Sequence, residues 1–183
     1  VRTYMREIAL TGRVMMHSEN ELWSCTMCST CGVRCPKDLN PFEVLIDIRS
    51  VAVEEGQIAP TIRDALENIL KNGNPWGRIR SKRSEWAQGL SIRHVSQGAD
   101  VLYFVGCTPA YDPRVQEATR SLVRCFERAG VNFGTLGDEE NCCGNEVYGM
   151  GEKGLFELLV EENVRLLSRY NVKKIVTSCP HSY

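Results

Sequence analysis

The chain has 183 residues, 43% of them hydrophobic, which is enough for one ordinary domain and a smaller one. Its net charge of −1 provides no general attraction to nucleic acid or to an anionic membrane. The sequence shows no signal peptide and no apolar run of the roughly 18 residues that cross a bilayer. Nine cysteines in this setting indicate a reducing compartment and metal ligation rather than disulfides.

The first predicted elements are a helix over residues 2–16 and a cysteine-rich loop over residues 25–36. The loop reads Cys-Thr-Met-Cys-Ser-Thr-Cys-Gly-Val-Arg-Cys-Pro, or C-x2-C-x2-C-x3-C-P. This spacing is typical of ferredoxins, in which three thiolates bind one 4Fe-4S cubane and the fourth binds a neighbouring cubane. Zinc sites instead separate their cysteine pairs by a dozen or more residues.

We therefore expect Cys25, Cys28 and Cys31 to bind one cubane and Cys35 to bind a second. Each cubane then needs ligands from outside this chain segment, because no second cysteine triplet of this kind occurs in the sequence. We expect the partner triplet before Val1 or on another subunit.

Two helices are predicted after the loop, over residues 41–55 and 61–71. Asn40 and Pro41 favour the start of the first, as a side-chain cap and a proline at the first helical position. Gly56 favours its end.

From residue 72 to residue 98 the composition changes to glycine, proline, serine and charged residues, which indicates an interdomain connector. The stretch contains Asn74-Pro75-Trp76-Gly77 and the basic residues Arg78, Arg80, Lys82 and Arg83. Two interpretations stay open, a solvated linker and a docking site for a partner or an anionic group.

The remaining chain alternates strand and helix patterns, which favours a parallel sheet with helical crossovers. We predict strands over residues 101–105, 131–136 and 173–177, and helices over residues 113–129 and 154–170. A cysteine or cysteine pair follows each strand: Cys107, Cys142 with Cys143, and Cys179. Strand ends meet at one edge of such a sheet, so these thiols form either a metal site or a scatter of buried thiols. Cys125, inside a predicted helix, is interpreted as a structural thiol.

The order Cys107, Cys142-Cys143-Gly144 and Cys179-Pro180-His181 resembles the first CCG element of the heterodisulfide reductase family. With the Cys25 run and the Asn74-Pro75-Trp76-Gly77 stretch, the chain is similar to fusions of a ferredoxin-like small subunit and a CCG catalytic subunit. Iron–sulfur subunits of glycolate and lactate oxidases and of flavoprotein-linked membrane reductases share that plan.

The resemblance implies a further iron–sulfur cluster on Cys107, Cys142, Cys143 and Cys179, which in the family is commonly a non-cubane 4Fe-4S cluster. Ser182 stands where the family element usually has its last cysteine. Four thiolates suit an ordinary cubane, and a fifth would favour the larger assembly, so the cluster type stays open. His181 is a hypothetical proton donor in catalysis; the alternative is a hydrogen bond that orients the Cys179 loop.

The predicted fold is α+β. A helical ferredoxin-like domain with two 4Fe-4S clusters covers residues 1–72, a connector covers 73–98, and a first CCG-type α/β domain with a parallel sheet covers 99–183. A second CCG element would follow Tyr183.

The resemblance implies an oxidoreductase subunit of a heterodisulfide-reductase-like complex. Electrons would pass from the cubanes to the CCG-site cluster, which reduces a disulfide or relays them onward. One alternative is an iron–sulfur subunit of a 2-hydroxyacid or flavoprotein-linked dehydrogenase that delivers electrons to a quinone or flavoprotein; another is a zinc-stabilised scaffold.

The expected partners are other redox subunits, either a flavoprotein or a second iron–sulfur subunit, with no nucleic acid. The expected location is cytoplasmic, with membrane contact only through a partner or a segment outside the chain.

Overall fold

The computed structural model describes residues 2–13 and 22–183. Internal contacts divide the chain into two compact units, residues 1–63 with 146–156, and residues 64–145 with 157–183. Residues 64–98 thus belong to the second unit, while the predicted domain boundaries at residues 72 and 98 stay a prediction. No helix in the described residues is both long enough and apolar enough to span a membrane.

The elements follow the predicted order of helices first and alternating strands and helices afterwards. In chain order they are α1 (Arg2–Thr11), α2 (Thr30–Val33), α3 (Pro41–Glu54), α4 (Pro60–Asn72), β1 (Val101–Phe104), α5 (Cys107–Tyr111), α6 (Pro113–Arg128), β2 (Phe133–Gly134), α7 (Asn145–Gly149), α8 (Lys153–Arg169) and β3 (Ile175–Thr177). Short 3-10 turns lie at Arg80–Lys82, Glu85–Ala87, Val95–Gln97, Gly137–Glu139 and Pro180–Ser182. The predicted α+β class with a parallel sheet is confirmed.

The helix starts and ends near the cysteine loop show which local signals operate. The helix predicted over residues 2–16 is confirmed over residues 2–11 only, since residues 12 and 13 are not helical and residues 14–16 lie outside the described part of the chain. Helix α3 begins at Pro41 as predicted, and Gly56 after its end has φ +71°. The predicted side-chain cap is wrong, because the Asn40 side chain makes no capping hydrogen bond. Of the two predicted signals for the start of α3, only the proline at the first helical position is present in the structure.

The first unit has a small apolar core beside the cysteine loop. Its buried members are Tyr4, Leu22, Leu45, Ile48 and Ala52. Cys25 and Met27 pack against this core. The start of the cysteine loop is therefore anchored to α1 and α3, whose apolar faces supply the core.

The second unit is built on a three-stranded parallel sheet in the order β2-β1-β3. Alternate residues of β1 enter two cores: Tyr103 packs with Val123 of α6 on one face, and Leu102 packs with Leu166 of α8 on the other. Burial on both faces explains why β1 reads as a continuous apolar run. The strand predicted over 131–136 is shorter in the structure, where β2 covers Phe133–Gly134.

The stretch interpreted as a connector packs tightly within the second unit. Asn74 is fully buried and organises its turn, since its side chain donates to the Arg78 carbonyl at 2.7 Å and accepts from the Trp76 backbone N–H at 3.1 Å. Trp86 is buried in the core beside Tyr103, and Arg83 is buried as well. The solvated-linker interpretation is wrong for these residues, because an aromatic anchor and a paired charge hold the stretch on the sheet.

Candidate metal centres

The cysteine loop of the first unit has a backbone suited to an anionic group. Met27 and Ser29 have φ +58° and +56°, and Cys28 between them does not have a positive φ. Alternating right- and left-handed residues turn successive N–H groups towards one concavity, an arrangement found at many iron–sulfur sites. Cys28 and Cys31 are exposed, and Cys25 and Cys35 are half-buried. A contact with the Thr30 hydroxyl, at 3.2 Å from the Cys28 sulfur, lowers the pKa of Cys28.

The second group of cysteines lies at the carboxyl end of the sheet, as predicted. Cys107 begins α5 three residues after β1, and Cys179 follows β3 by two residues. Cys142 and Cys143 follow the turn after β2. In the structure the Cys142 thiol is hydrogen-bonded to the thiols of both Cys107 and Cys143. The Cys143 thiol also lies 3.5 Å from the carbonyl oxygen of His181, which is two residues after Cys179 in the sequence.

These contacts shape the acidity of the thiols. Cys142 is the central hydrogen-bond donor, towards Cys107 and Cys143, and this role raises its own pKa. The same donor lowers the pKa of Cys107, with the Arg83 guanidinium as a further cause. It lowers the pKa of Cys143 to about 6. Two of the three thiols are thus predisposed to the thiolate form, which is the form that binds metals.

A buried ion pair supports the Cys107 loop. Both terminal nitrogens of Arg83 lie 3.7 Å from the Cys107 sulfur, and Nη2 donates to Glu140 Oε1 at 2.7 Å. The Glu140 carboxylate also accepts the backbone N–H groups of Val105 and Gly106, both at 2.8 Å. Burial opposes the charge of Arg83, but Glu140 and Cys107 outweigh it, and the pKa of Arg83 is raised. Glu140 therefore fixes the backbone that leads to Cys107, while Arg83 supplies N–H donors to the sulfur.

Polar side chains also fix the Cys142 backbone. Asn141 accepts the Cys142 N–H at 2.9 Å and donates to Glu162 of α8 at 2.6 Å. Asn163, also on α8, donates to the Cys142 carbonyl at 2.9 Å. The backbone on both sides of Cys142 is thus tied to one rigid helix, which limits how far the thiol can move.

Gly106 allows β1 and β3 to present their cysteines side by side. Its φ is +84°, and a Cβ placed there would lie 3.2 Å from the Cβ of Cys179. The donor chemistry fits an iron–sulfur group, since the four side chains are soft thiols with N–H donors nearby. Among the described residues, however, no group of three or more metal-ligating side chains has the geometry of a metal site. The thiols contact one another one after the next and do not surround a single point. That these four cysteines bind one cluster is therefore a proposal.

Replacing Gly106 with alanine tests this juxtaposition, and Gly98 provides a control for the effect of an alanine at a positive φ. Gly98 has nearly the same φ, +83°, but its ψ of 38° is that of a left-handed helical residue, whereas Gly106 has ψ 167°, in a region that is essentially restricted to glycine. An added Cβ at Gly98 would meet nothing within 4 Å. We expect Gly98→Ala to cost about 1 kcal/mol of unfolding free energy through backbone strain alone. Gly106→Ala should cost at least as much and should also remove most of the iron bound in the second unit, because the new methyl group displaces Cys179. Iron analysis and urea unfolding measure the two effects. Equal iron content in the two variants would contradict the arrangement.

Three further residues that the sequence singled out are Cys125, His181 and Ser182. Cys125 is exposed on α6, so its interpretation as a structural thiol is wrong: the side chain is on the solvent face of an amphipathic helix. His181 contributes its backbone carbonyl to Cys143, and the role of its imidazole stays a hypothesis. Ser182 Oγ is buried and has no hydrogen-bond partner among the described residues.

Sequence reasoning missed the polar residues that support the cysteines: Arg83, Glu140, Asn141, Glu162 and Asn163. Arg83 belongs to a basic run and Glu140 to an acidic loop, and both patterns are usually solvated surface. The one available signal was position, since Glu140 and Asn141 directly precede Cys142 at a strand end.

Comparison with known proteins gives a family match for each of the two segments that contain the cysteine groups. Residues 1–40 match the 4Fe-4S dicluster domain family, and residues 101–182 match the cysteine-rich domain family called CCG. No solved structure gives a significant match to the chain. The two family matches support iron–sulfur clusters as its cofactors.

Three relatives illustrate the range of proteins to which the chain is similar. The EtfAB:quinone oxidoreductase of Syntrophomonas wolfei is 31% identical over 88% of the chain and 24% of its own length. A probable membrane-anchored ferredoxin of Chromohalobacter salexigens is 31% identical over 96% of the chain and 26% of its length. One component of the dihydromethanophenazine:CoB–CoM heterodisulfide reductase of Methanosarcina barkeri is 26% identical over 88% of the chain and 39% of its length.

The chain spans about a quarter of the length of the first two relatives. Its two matched segments stand in the order expected from the cysteine spacings, dicluster segment first and CCG domain second. The chain therefore combines a 4Fe-4S dicluster domain with a CCG domain, and its relatives include a heterodisulfide reductase component and other iron–sulfur oxidoreductases.

Proposed function

We propose that this chain transfers electrons from 4Fe-4S clusters at Cys25, Cys28, Cys31 and Cys35 to a cluster held by Cys107, Cys142, Cys143 and Cys179. The observation that carries the proposal is the contact series of Cys107, Cys142 and Cys143 at the sheet edge, with Arg83 at 3.7 Å from the Cys107 sulfur. Iron–sulfur clusters at these positions would supply one-electron transfer. The residues around them would set the potentials through N–H donors and burial.

Onward relay to a partner is the first form of the function. Two relatives that are each 31% identical are described as a quinone oxidoreductase and a membrane-anchored ferredoxin. In this form the partners are other redox subunits, a flavoprotein or a second iron–sulfur subunit. The chain works at the cytoplasmic side of a membrane, which it reaches through a partner or a segment outside these residues.

Disulfide reduction at the CCG cysteines is the second candidate. It is favoured by the likeness to the heterodisulfide reductase component from Methanosarcina barkeri. His181 also favours it, because this residue follows Cys179 by two positions and its imidazole could deliver a proton to a departing thiolate. Because Ser182 occupies the last position of the element, the second cysteine group of this chain offers four thiolates.

Acceptor preference separates the two forms. The natural full-length protein, purified without oxygen and reduced chemically, should pass electrons to a quinone analogue or a flavoprotein much faster than to a small disulfide. A Cys142→Ala variant should lose this transfer, whereas a Cys125→Ser variant should keep it. Rapid oxidation by the disulfide, slowed by His181→Gln with an altered pH profile, would instead support reduction of a disulfide. Transfer that survives Cys142→Ala unchanged would overturn the proposed route.

A further inference from the structure

A buried arginine in the first unit contacts the start of the cysteine loop. Arg49 lies on α3 and is 4% exposed. Its guanidinium donates to three carbonyl oxygens: to Leu22 and to Cys25 at 2.9 Å each through Nη2, and to Gly149 at 2.7 Å through Nη1. The guanidinium carbon also lies 5.0 Å from the ring centroid of Trp23. Every partner in these contacts is a neutral group.

The charge of Arg49 therefore has no carboxylate counter-charge in the part of the chain that the structure describes. Carbonyl dipoles solvate the guanidinium but carry no net charge, and burial lowers the pKa of Arg49 more than the nearby Cys25 thiol raises it. Buried charges in proteins are ordinarily paired with an opposite charge, because removing an unpaired charge from water is costly. The second unit follows this rule, since its buried Arg83 pairs with Glu140 at 2.7 Å. Among residues 2–13 and 22–183, Arg49 has no such partner, and it lies directly beside the first predicted cluster ligand.

The Trp23 side chain, which contacts Arg49, also has a buried polar atom without a partner among the described residues. The indole nitrogen of Trp23 is buried and has no hydrogen-bond acceptor among the described residues. Buried indole N–H groups usually have an acceptor. An iron–sulfur cluster at the cysteine loop would supply a partner for both groups, because it offers negative charge to Arg49 and sulfur acceptors to the indole N–H of Trp23.

We propose that Arg49 is a positioning residue for the cluster of the Cys25 loop, whose negative charge is its counter-charge. The inference rests on the proposed function, which puts a 4Fe-4S cluster at Cys25, Cys28 and Cys31. The bond to the Cys25 carbonyl fixes the backbone of the first ligand. The positive charge favours the reduced cluster, which carries one more negative charge than the oxidised one, so Arg49 raises the reduction potential.

A purely structural clamp would make the same hydrogen bonds without acting on the potential. The measurement that distinguishes these roles is a redox titration followed by electron paramagnetic resonance on the natural full-length protein, without oxygen. The relevant signal is the one that disappears in a Cys28→Ala variant. Arg49→Met removes the charge and the donors, Arg49→Gln removes the charge and keeps donors, and Arg49→Lys keeps the charge. Arg63→Met is the matched control, since Arg63 is an exposed arginine of the same unit.

We expect Arg49→Met and Arg49→Gln to lower the equilibrium constant for reduction of this cluster about tenfold, which is a fall of about 59 mV for one electron. Arg49→Lys should stay close to the wild type, and Arg63→Met should not change the potential. If the neutral variants lose the cluster altogether while Arg49→Lys retains it, the requirement for charge is equally supported.

Unchanged potentials in Arg49→Met and Arg49→Gln would overturn the inference and leave Arg49 a structural clamp. Loss of the cluster from Arg49→Lys as complete as from Arg49→Met would also overturn it, because geometry rather than charge would then be decisive. The proposed function fails separately: in that case the wild-type protein itself shows no cluster signal that depends on Cys28.

Discussion

Replacing Cys28 and Cys31 together with alanine is expected to remove about four iron atoms and as many inorganic sulfides per chain, the content of one 4Fe-4S cluster. Both side chains are exposed on a loop in which Met27 and Ser29 have positive φ, the kind of backbone found at anion-binding concavities. With only Cys25 left of the triplet, the loop cannot hold the cluster. Iron and sulfide analysis, with visible absorbance near 400 nm, measures the loss.

A Cys125→Ser variant is the control for that experiment. Cys125 is an exposed thiol on α6 that neither cysteine group includes. Its replacement should leave iron, sulfide and absorbance at the wild-type level. An equal loss of iron from this variant would show that the double variant acts by general damage, and unchanged iron in the double variant would contradict the assignment of the loop.

Replacing Glu140 with glutamine is expected to lower the free energy of unfolding by about 3 to 5 kcal/mol. Both side chains of the Arg83–Glu140 pair are almost completely buried, at 3% and 1% exposure. Without the carboxylate, Arg83 keeps a buried charge that has lost its counter-charge. Urea unfolding followed by tryptophan fluorescence measures the loss, because Trp86 is buried in the same unit.

An exposed ion pair and a double variant complete this test. Glu67→Gln breaks the solvent-exposed pair with Lys71, whose N–O distance is 2.9 Å, and should cost no more than about 0.5 kcal/mol. Glu140→Leu combined with Arg83→Met removes both buried charges and should be more stable than Glu140→Gln alone. A Glu140→Gln variant no less stable than Glu67→Gln would contradict the role assigned to the pair.

Much of the layout was predictable because it depends on short-range patterns. Pro41 and Gly56 mark the ends of α3, and the apolar run of β1 reflects burial on both sheet faces. The convergence of Cys107 with Cys142 was also predictable, because parallel strands joined by helices place their carboxyl ends at one edge.

The supporting residues were not predictable, because their roles depend on partners far away in sequence. Arg83 and Glu140 are 57 residues apart, and each is embedded in a run of like charge that reads as surface. Arg49 lies in the middle of α3, where a single arginine is ordinarily solvated, and only the fold shows that its guanidinium reaches the Cys25 carbonyl. In the short β2, Gly134 packs against Val95, and a Cβ there would lie 3.0 Å from the Val95 backbone.

The most direct test of the central claim is anomalous X-ray diffraction from crystals of the natural full-length protein, with data collected above and below the iron and zinc absorption edges. The account predicts iron peaks at bonding distance from the sulfurs of Cys25, Cys28 and Cys31, and a separate iron peak among Cys107, Cys142, Cys143 and Cys179. A peak at the zinc edge in place of iron would instead support the alternative of a zinc-stabilised scaffold. Absence of any metal peak at the second group would contradict electron transfer through the CCG cysteines.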